Sequence, residues 1–276
     1  MAPGVRTAGS SVTSRALAIL AAFDIERPVL TLTDIARRTD LPLPTVHRLV
    51  GELAAWGALT RGPDGGYRIG VRLWEVALLS PLHTRLREIA VPFLHDLYET
   101  TRENIHLAVR NGTEALYIEK FTGHRAVPII SRVGGRLPLH ATGVGKALLA
   151  FSGPAFVASY LHDPLPRCTP YTITEPGRLA GELALVRRRG WAQTREEMTL
   201  GSCSVAVPVL DPDGTVTASL GIVVHSLRAN LERLVPALRG AARDVAGRLA
   251  DTAGDPYPGL RHQFTPRRPS MRKESA

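Results

Sequence analysis

At 276 residues, 44% of them hydrophobic and 21% charged, the chain is long enough for two domains with separate cores and has the makeup of a folded globular protein, which excludes a disordered or fibrous one. Its formal charge of +9 fits a polyanionic partner, yet the first 80 residues carry nine Arg, no Lys and seven Asp or Glu, so the placement of single arginines says more than the total. Two cysteines, nine histidines without a spaced cluster, a start at Met1–Arg6 that lacks the apolar core of a secretory signal, and no long apolar run predict a cytoplasmic protein with no disulfide framework, metal, cofactor or membrane partner.

Residues 1–11 are small and polar with no apolar period and read as disordered. A first helix turns Ala16, Ile19, Leu20 and Phe23 inward and Arg15 outward. Thr31 and Asp34 then form a capping-box start for a short helix with Ile35 and Ala36 inside and Arg37 and Arg38 toward water or phosphate. After a turn at Asp40-Leu41, Pro42 suits the first position of a second helix that runs to about Ala55. Val46, Leu49, Val50 and Leu53 make one apolar stripe on it. The opposite face centres on Pro44, Arg48 and Gly51, flanked by Thr45 and His47. Strands at Ala58–Arg61 and Tyr67–Ile69 surround Gly62–Gly66, a basic hairpin bearing Arg61 and Arg68.

Helix, turn, helix and basic hairpin together are the layout of a winged DNA-binding domain over residues 12–70, with Thr45, His47 and Arg48 as base or phosphate readers. The bland alternative is a helical hairpin with a solvated arginine face; the cap and the three-part layout favour DNA. Residues 71–83 form a connecting helix whose apolar Leu73, Val76, Ala77 and Leu79 expect to be covered, by the same domain or by a second subunit.

From about Pro81 a long helix carries Leu86, Ile89, Ala90, Phe93, Leu94 and Leu97, followed by strands Ile105–Arg110 and Ala115–Phe121 around Asn111-Gly112, a strong hairpin signal. Further strands are predicted at Val127–Ser131, Ser204–Leu210 and Val216–His225, and helices at Val144–Phe151, Pro154–Leu161, Pro176–Arg189 and Leu231–Ala250. The expectation is a mixed sheet with helices packed on it over residues 84–250, then a flexible basic tail over 251–276. Gly143-Val144-Gly145-Lys146 is not a P-loop, which needs Gly where His140 stands and Ser or Thr where Ala147 stands. Cys203 with His140 or His106 leaves a thiol hydrolase as the alternative class, but neither stands in a catalytic motif, so no catalytic residue is assigned. Free amides at the helix start, Gly143 and Val144, suit an acidic or carbonyl ligand.

Val12–Leu20 (VTSRALAIL), Leu32–Leu49 (LTDIARRTDLPLPTVHRL) and Tyr67–Leu73 (YRIGVRL) resemble the IclR family of bacterial transcription regulators. Ile105–Val109 (IHLAV), Ser131–Ala150 (SRVGGRLPLHATGVGKALLA) and Ile173–Glu175 (ITE) resemble the effector domain of the same family. The resemblance implies an α+β chain: a winged helix-turn-helix joined by a helix to a GAF-like α/β domain that binds a small metabolite, acting as a homodimer or dimer of dimers on double-stranded operator DNA. It implies DNA contacts at Arg15, Arg37, Arg38, Leu43, Pro44, Thr45, His47, Arg48, Arg61 and Arg68. It implies an effector pocket lined by Ala126, Ile129, Leu137, Gly143, Val144, Thr194, Ser204, Gly221 and Val223. Members that bind very small oxoacids tend to have an acid where Thr194 stands, cysteine where Ser204 stands and serines where Gly221 and Val223 stand. The substitutions read either as room for a larger, partly apolar effector, such as an aromatic or branched carboxylic acid, or as repacking at constant size. Leu43 and Pro44 cannot donate side-chain hydrogen bonds, though they can touch a thymine methyl. The function implied is a ligand-responsive regulator, with repressor favoured by family habit; the alternative is a metabolite-binding protein whose winged domain serves dimerisation.

Overall fold

A computed structural model describes residues 11–80, 82–123, 130–226 and 230–252; for Leu82, His83 and Thr84 it describes the backbone only. The chain divides into two compact units between Ser80 and Pro81.

In the first unit, α1 (Val12–Ala21) starts at Ser11, whose hydroxyl accepts the Ser14 amide at 3.1 Å. The next helix, α2 (Leu32–Thr39), has the full capping box: Thr31 Oγ1 accepts the Asp34 amide and the Asp34 carboxylate accepts the Thr31 amide, both at 3.2 Å. It ends on Asp40, held in the left-handed region at φ +54°. Helix α3 (Leu43–Trp56) begins one residue later than expected, so that Pro42 precedes it and Pro44 occupies its second position; Gly57 closes it at φ +88°. Strands β1 (Leu59–Arg61) and β2 (Tyr67–Ile69) pair antiparallel, and Leu30 bridges Tyr67, which ties the hairpin to the chain before α2. Ile19, Ile35, Val46, Leu49, Val50 and Leu59 form the core, and Leu53, the last member of the predicted stripe, is partly buried against it. Phe23 lies past the end of α1. No residue of α4 (Val71–Ala77) is buried: Val71 is 69% and Trp74 60% exposed.

The second unit opens with a π-helical turn, Leu82–Arg87, and α5 (Glu88–Thr101), in which Pro92 has no amide to give the Glu88 carbonyl. Strands β3 (Asn104–Asn111) and β4 (Glu114–Phe121) follow, then β5 (Arg136–Pro138), α6 (Gly143–Ala150), α7 (Pro154–His162) and α8 (Pro176–Arg189). The chain continues through β6 (Ala192–Arg195), β7 (Ser202–Leu210), β8 (Val216–His225), a 3-10 turn Leu231–Leu234 and α9 (Val235–Asp251). The sheet order is β5-β4-β3-β8-β7-β6, and every pairing is antiparallel, which corrects the expectation of a mixed sheet. Consecutive residues of a strand point to opposite faces, so Leu107, Cys203 and Val205 enter the core under α5 and α9, while Ala108 and Ala206 enter the core under α6 and α8. The architecture is an α+β chain, a winged helix-turn-helix followed by a GAF-like α/β layer domain.

Three local expectations need amendment. Of the strand predicted at Val127–Ser131, only Ile130 and Ser131 are described, and neither is in a strand. The short β5 and β6 were not foreseen, because three or four residues show no period. At the β3–β4 hairpin Asn111 still pairs with Glu114, so the turn is Gly112-Thr113, with Gly112 supplying the positive φ of +60° at its first place. The predicted disordered start and basic tail lie outside the described residues apart from Ser11, Asp251 and Thr252.

Helix α6 is buried at all eight positions. Thr142 caps it, accepting the Gly145 amide at 3.1 Å, and a Cβ at Gly145 would run into the Leu139 backbone. Lys146 on this helix is 1% exposed and its Nζ lies 2.6 Å from the Glu197 carboxylate. Burial raises the Glu197 carboxyl above the ordinary range, and the Lys146 charge pulls the other way. Removing one partner strands the other in a dry interior, so Lys146→Met is expected to cost about 3 to 5 kcal/mol of unfolding free energy, while Lys146→Met with Glu197→Leu recovers most of it. Urea unfolding of the three proteins checks this; equal loss in single and double variants would contradict it.

Candidate functional site

The exposed face of α3 carries Leu43 (48% exposed), Pro44, His47 and Arg48, with Thr45 half-buried at its edge. No side chain caps the start of this helix, so its first-turn amides have no side-chain acceptor of their own. The arginines singled out from the sequence do not stand alone. Arg48 meets Glu52 at 2.5 Å one turn along α3, and Arg68 meets Asp64 of the hairpin loop at 2.8 Å. Arg37 is paired with Asp34 at 2.7 Å and Arg38 with Asp24 at 2.5 Å. Arg61 lies over the Tyr67 ring, 5.8 Å from its centroid, and Arg15 is half-buried in α1. Hydrogen bonds from Arg68 and the Gly66 amide hold the Asp64 carboxyl below the usual range. Exposed pairs of this kind contribute at most about 1 kcal/mol, so a phosphate can replace the carboxylate at little cost. The pairs hold the guanidinium groups in place on the surface without burying them.

In the second unit a small cavity, partly open to solvent, lies between the start of α6 and the sheet. Seven residues predicted for a ligand pocket line it: Leu137, Gly143, Val144, Thr194, Ser204, Gly221 and Val223. Ala126 and Ile129 lie outside the described residues. The sequence reading missed His106, Tyr117, Ser131, Thr142 and Met198 as lining. The available signal was strand parity, since His106 shares a face of β3 with Ala108, which packs under α6.

Two pairs of polar side chains in the cavity are bonded to one another, while the Thr142 and Ser202 hydroxyls donate to backbone carbonyls. Thr194 and Ser204 hydroxyls are 2.5 Å apart across β6 and β7, and Ser131 Oγ is 2.9 Å from His106 Nε2. His106 packs edge-on to Tyr117, with ring centroids 5.1 Å apart. Burial, with the Lys120 charge adding to it, lowers the His106 pKa to about 3, so the imidazole is neutral at ordinary pH. Burial raises the Tyr117 phenol. No Asp, Glu, Lys or Arg is among the described lining residues. What remains for an acidic ligand is the amide end of α6, where Gly143 and Val144 stand.

Two glycines set how closely α6 approaches. A Cβ at Gly143 would come within 2.5 Å of Ser204 Oγ, and one at Gly221 within 2.7 Å of a Val144 methyl. The space beside Gly221 is therefore filled by Val144 and is not extra room for a ligand. Cys203 faces the other core, where burial raises its thiol, and the sheet separates it from His106. Among the described residues no cluster of three His, Cys, Asp or Glu is placed to hold a metal, and no helix is long and apolar enough to cross a membrane.

Comparison with known proteins agrees with both halves. Residues 12–63 match the family model described as the IclR helix-turn-helix domain, and residues 80–249 match that described as the bacterial transcriptional regulator IclR C-terminal. The transcriptional regulator XynR of Escherichia coli K12 is 35% identical over 78% of this chain and 86% of its own length. The transcriptional repressor AllR of the same strain is 30% identical over 87% of this chain and 91% of its own. A crystal structure of an IclR homolog from Microbacterium hydrocarbonoxydans complexed with 4-hydroxybenzoate shares 38% identity, covers 87% of this chain and all of its own, and superposes with a TM-score of 0.84.

The buried imidazole makes a pH test possible. Its folded pKa of about 3 lies below the ordinary 6.5, so the unfolded chain takes up the proton first. The stability it contributes is complete above pH 6.5 and is lost as pH falls toward 3. Between pH 6 and 4, His106→Gln should remove up to about 1.4 kcal/mol per pH unit from the slope of unfolding free energy, measured in urea. An unchanged slope would show that His106 is not held neutral.

Proposed function

The chain belongs to the IclR family of bacterial transcriptional regulators, and on that premise we propose that it is a repressor whose paired winged domains bind a palindromic operator and whose second unit senses an aromatic carboxylic acid. The observation that carries the effector reading is the cavity at the amide end of α6, apolar along Leu137, Val144 and Val223 and without a charged side chain among the described lining residues. A tiny, very polar acid would leave its oxygens poorly partnered there, at about 1 to 3 kcal/mol for each unsatisfied group. An aromatic ring fills the apolar part, its carboxylate meets the α6 amides, and neutral His106 or the Thr194–Ser204 pair serves a ring substituent. The homolog holding 4-hydroxybenzoate supports the same class. The direction of control follows AllR, which is named a repressor.

On DNA, α3 enters the major groove with Arg48, His47 and Thr45 toward base edges and Leu43 and Pro44 against a thymine methyl. Arg61 and Arg68 of the hairpin hold phosphates, as do Arg15, Arg37 and Arg38. The exposed Val71 and Val76 on α4 support a second copy of the chain as what covers that face. Dimer and dimer of dimers both satisfy that face. The acid acts through its different affinity for DNA-competent and DNA-incompetent arrangements.

Selection of genomic DNA fragments followed by fluorescence anisotropy tests the reading. Arg48→Ala should cost about 1 to 3 kcal/mol on the selected operator and relax its specificity, whereas Arg68→Ala should weaken operator and random DNA alike and lower the salt slope by about one. 4-Hydroxybenzoate should shift operator affinity of the wild type about tenfold, as expected for a coupling of 1 to 3 kcal/mol. A shift with glyoxylate and none with aromatic acids would overturn the effector class, and binding blind to sequence would overturn the operator reading.

A further inference from the structure

A second concavity, with about 1240 Å³ of open space, lies in the second unit away from the effector cavity and shares no lining residue with it. It occupies a notch in the sheet. Strand β6 begins at Ala192 opposite Ala206, so Val207–Leu210 of β7 extend past it with no strand alongside on that side among the described residues. Five arginines border the notch: Arg187, Arg188 and Arg189 from the last turn of α8, and Arg239 and Arg243 from α9.

Only Arg189 has a carboxylate partner, Glu182 at 2.9 Å; among the described residues the other four have none. Basic residues at a helix C-terminus balance its dipole, which accounts for the three on α8. Arg239 donates to the carbonyl of Arg189 at the end of α8, so the same reason reaches it, whereas Arg243 stands in the middle of α9, where it does not apply. Backbone carbonyls anchor several of these groups: Arg187 Nε donates to Ala150 O, Arg239 Nη2 to Arg189 O and Arg243 Nε to Arg239 O. Each anchor uses one donor of a five-donor fork and holds the rest near like charges, of which only that of Arg189 meets a carboxylate among the described residues. Pro208 on the open strand edge lacks an amide, so the notch is a poor seat for an added strand of another protein.

We propose that this notch is a second ligand site, for a small anion bearing a chain of phosphates. A single carboxylate brings one charge, too few for four unpaired guanidinium groups, whereas an oligophosphate brings several and presents the oxygens that guanidinium forks grip in pairs. The notch also exposes an apolar floor at Phe151, Leu210 and Ala246, which suits a nucleobase. Nucleotide and inorganic polyphosphate share the phosphate chemistry.

The test uses the full-length protein in titration calorimetry at about 0.15 M salt, with sodium tripolyphosphate, ATP and adenosine as probes. Saturable binding of tripolyphosphate and ATP at one site per chain is expected. The Arg188→Gln/Arg243→Gln variant, altered at two exposed surface positions, should keep its unfolding midpoint and bind both at least about tenfold more weakly, as loss of charged hydrogen bonds implies. ATP binding more tightly than tripolyphosphate supports a nucleotide, and equal binding supports the phosphate chain alone. Absence of saturable binding, or undiminished binding by the variant, overturns the proposal. So does a variant that loses operator affinity when neither protein binds tripolyphosphate, since the notch would then hold nucleic-acid backbone.

Discussion

The second unit depends on the close seating of one short helix. All eight residues of α6 are buried, and it reaches the sheet because Gly143 and Gly221 lack side chains where Ser204 and Val144 come closest. Thr142 satisfies one amide at its start, and the remaining amide end faces the cavity. A helix sunk this deep would be a poor place for Lys146 without a counter-ion. Glu197 supplies it from the chain just after β6, beside Met198 and Thr199 of the cavity wall. The Glu197 carbonyl in turn accepts the Thr172 hydroxyl at 2.7 Å. One ion pair thus links the floor of the cavity to a wall that the chain reaches some fifty residues later, since Lys146 and Glu197 are 51 positions apart. The pair is weak evidence for net stability, because desolvation offsets much of the attraction; its clearer effect is to allow only one relative placement of the two segments.

Electrostatics are handled differently in the two units. In the winged unit Arg37, Arg38, Arg48 and Arg68 are paired with carboxylates three, fourteen, four and four residues away. Such pairs are weak and easily exchanged in water. In the cavity the charges are removed instead: His106 is neutral, the Thr194 and Ser204 hydroxyls are bonded to each other, and the amide end of a helix is the positive feature left. What the cavity offers is a fixed dipole, with no charged side chain among its described lining residues. The formal charge of +9 belongs to neither site in particular.

Much of the winged unit was legible in the sequence because its determinants are local. The capping box at Thr31 and Asp34, the stripe Val46, Leu49, Val50 and the glycine-rich loop at Gly62–Gly66 act within a few residues of themselves, and each reappears in three dimensions within a residue or so. Pro42 was misplaced by one position because proline fits both just before a helix and within its first turn. In the second unit the longer strands and helices were legible for the same reason, and β5 and β6 were not, being too short to show a period. The resemblance to known regulators brought Leu137, Gly143, Val144, Thr194, Ser204, Gly221 and Val223 into view, and the fold gathers all seven around one cavity.

By itself, then, the sequence determined the caps, the periods and the class of the two units, since these follow from spacing along the chain. Tertiary structure alone decided that the sheet is antiparallel throughout, that His106 and Ser131 meet in the cavity while Cys203 turns away, that Val144 fills the space beside Gly221, and that arginines of α8 and α9 border one notch. The reason is geometric: a strand's period assigns residues to two faces, but which helix covers each face, and which distant residues meet across it, is set by strand order and register, which no local pattern encodes.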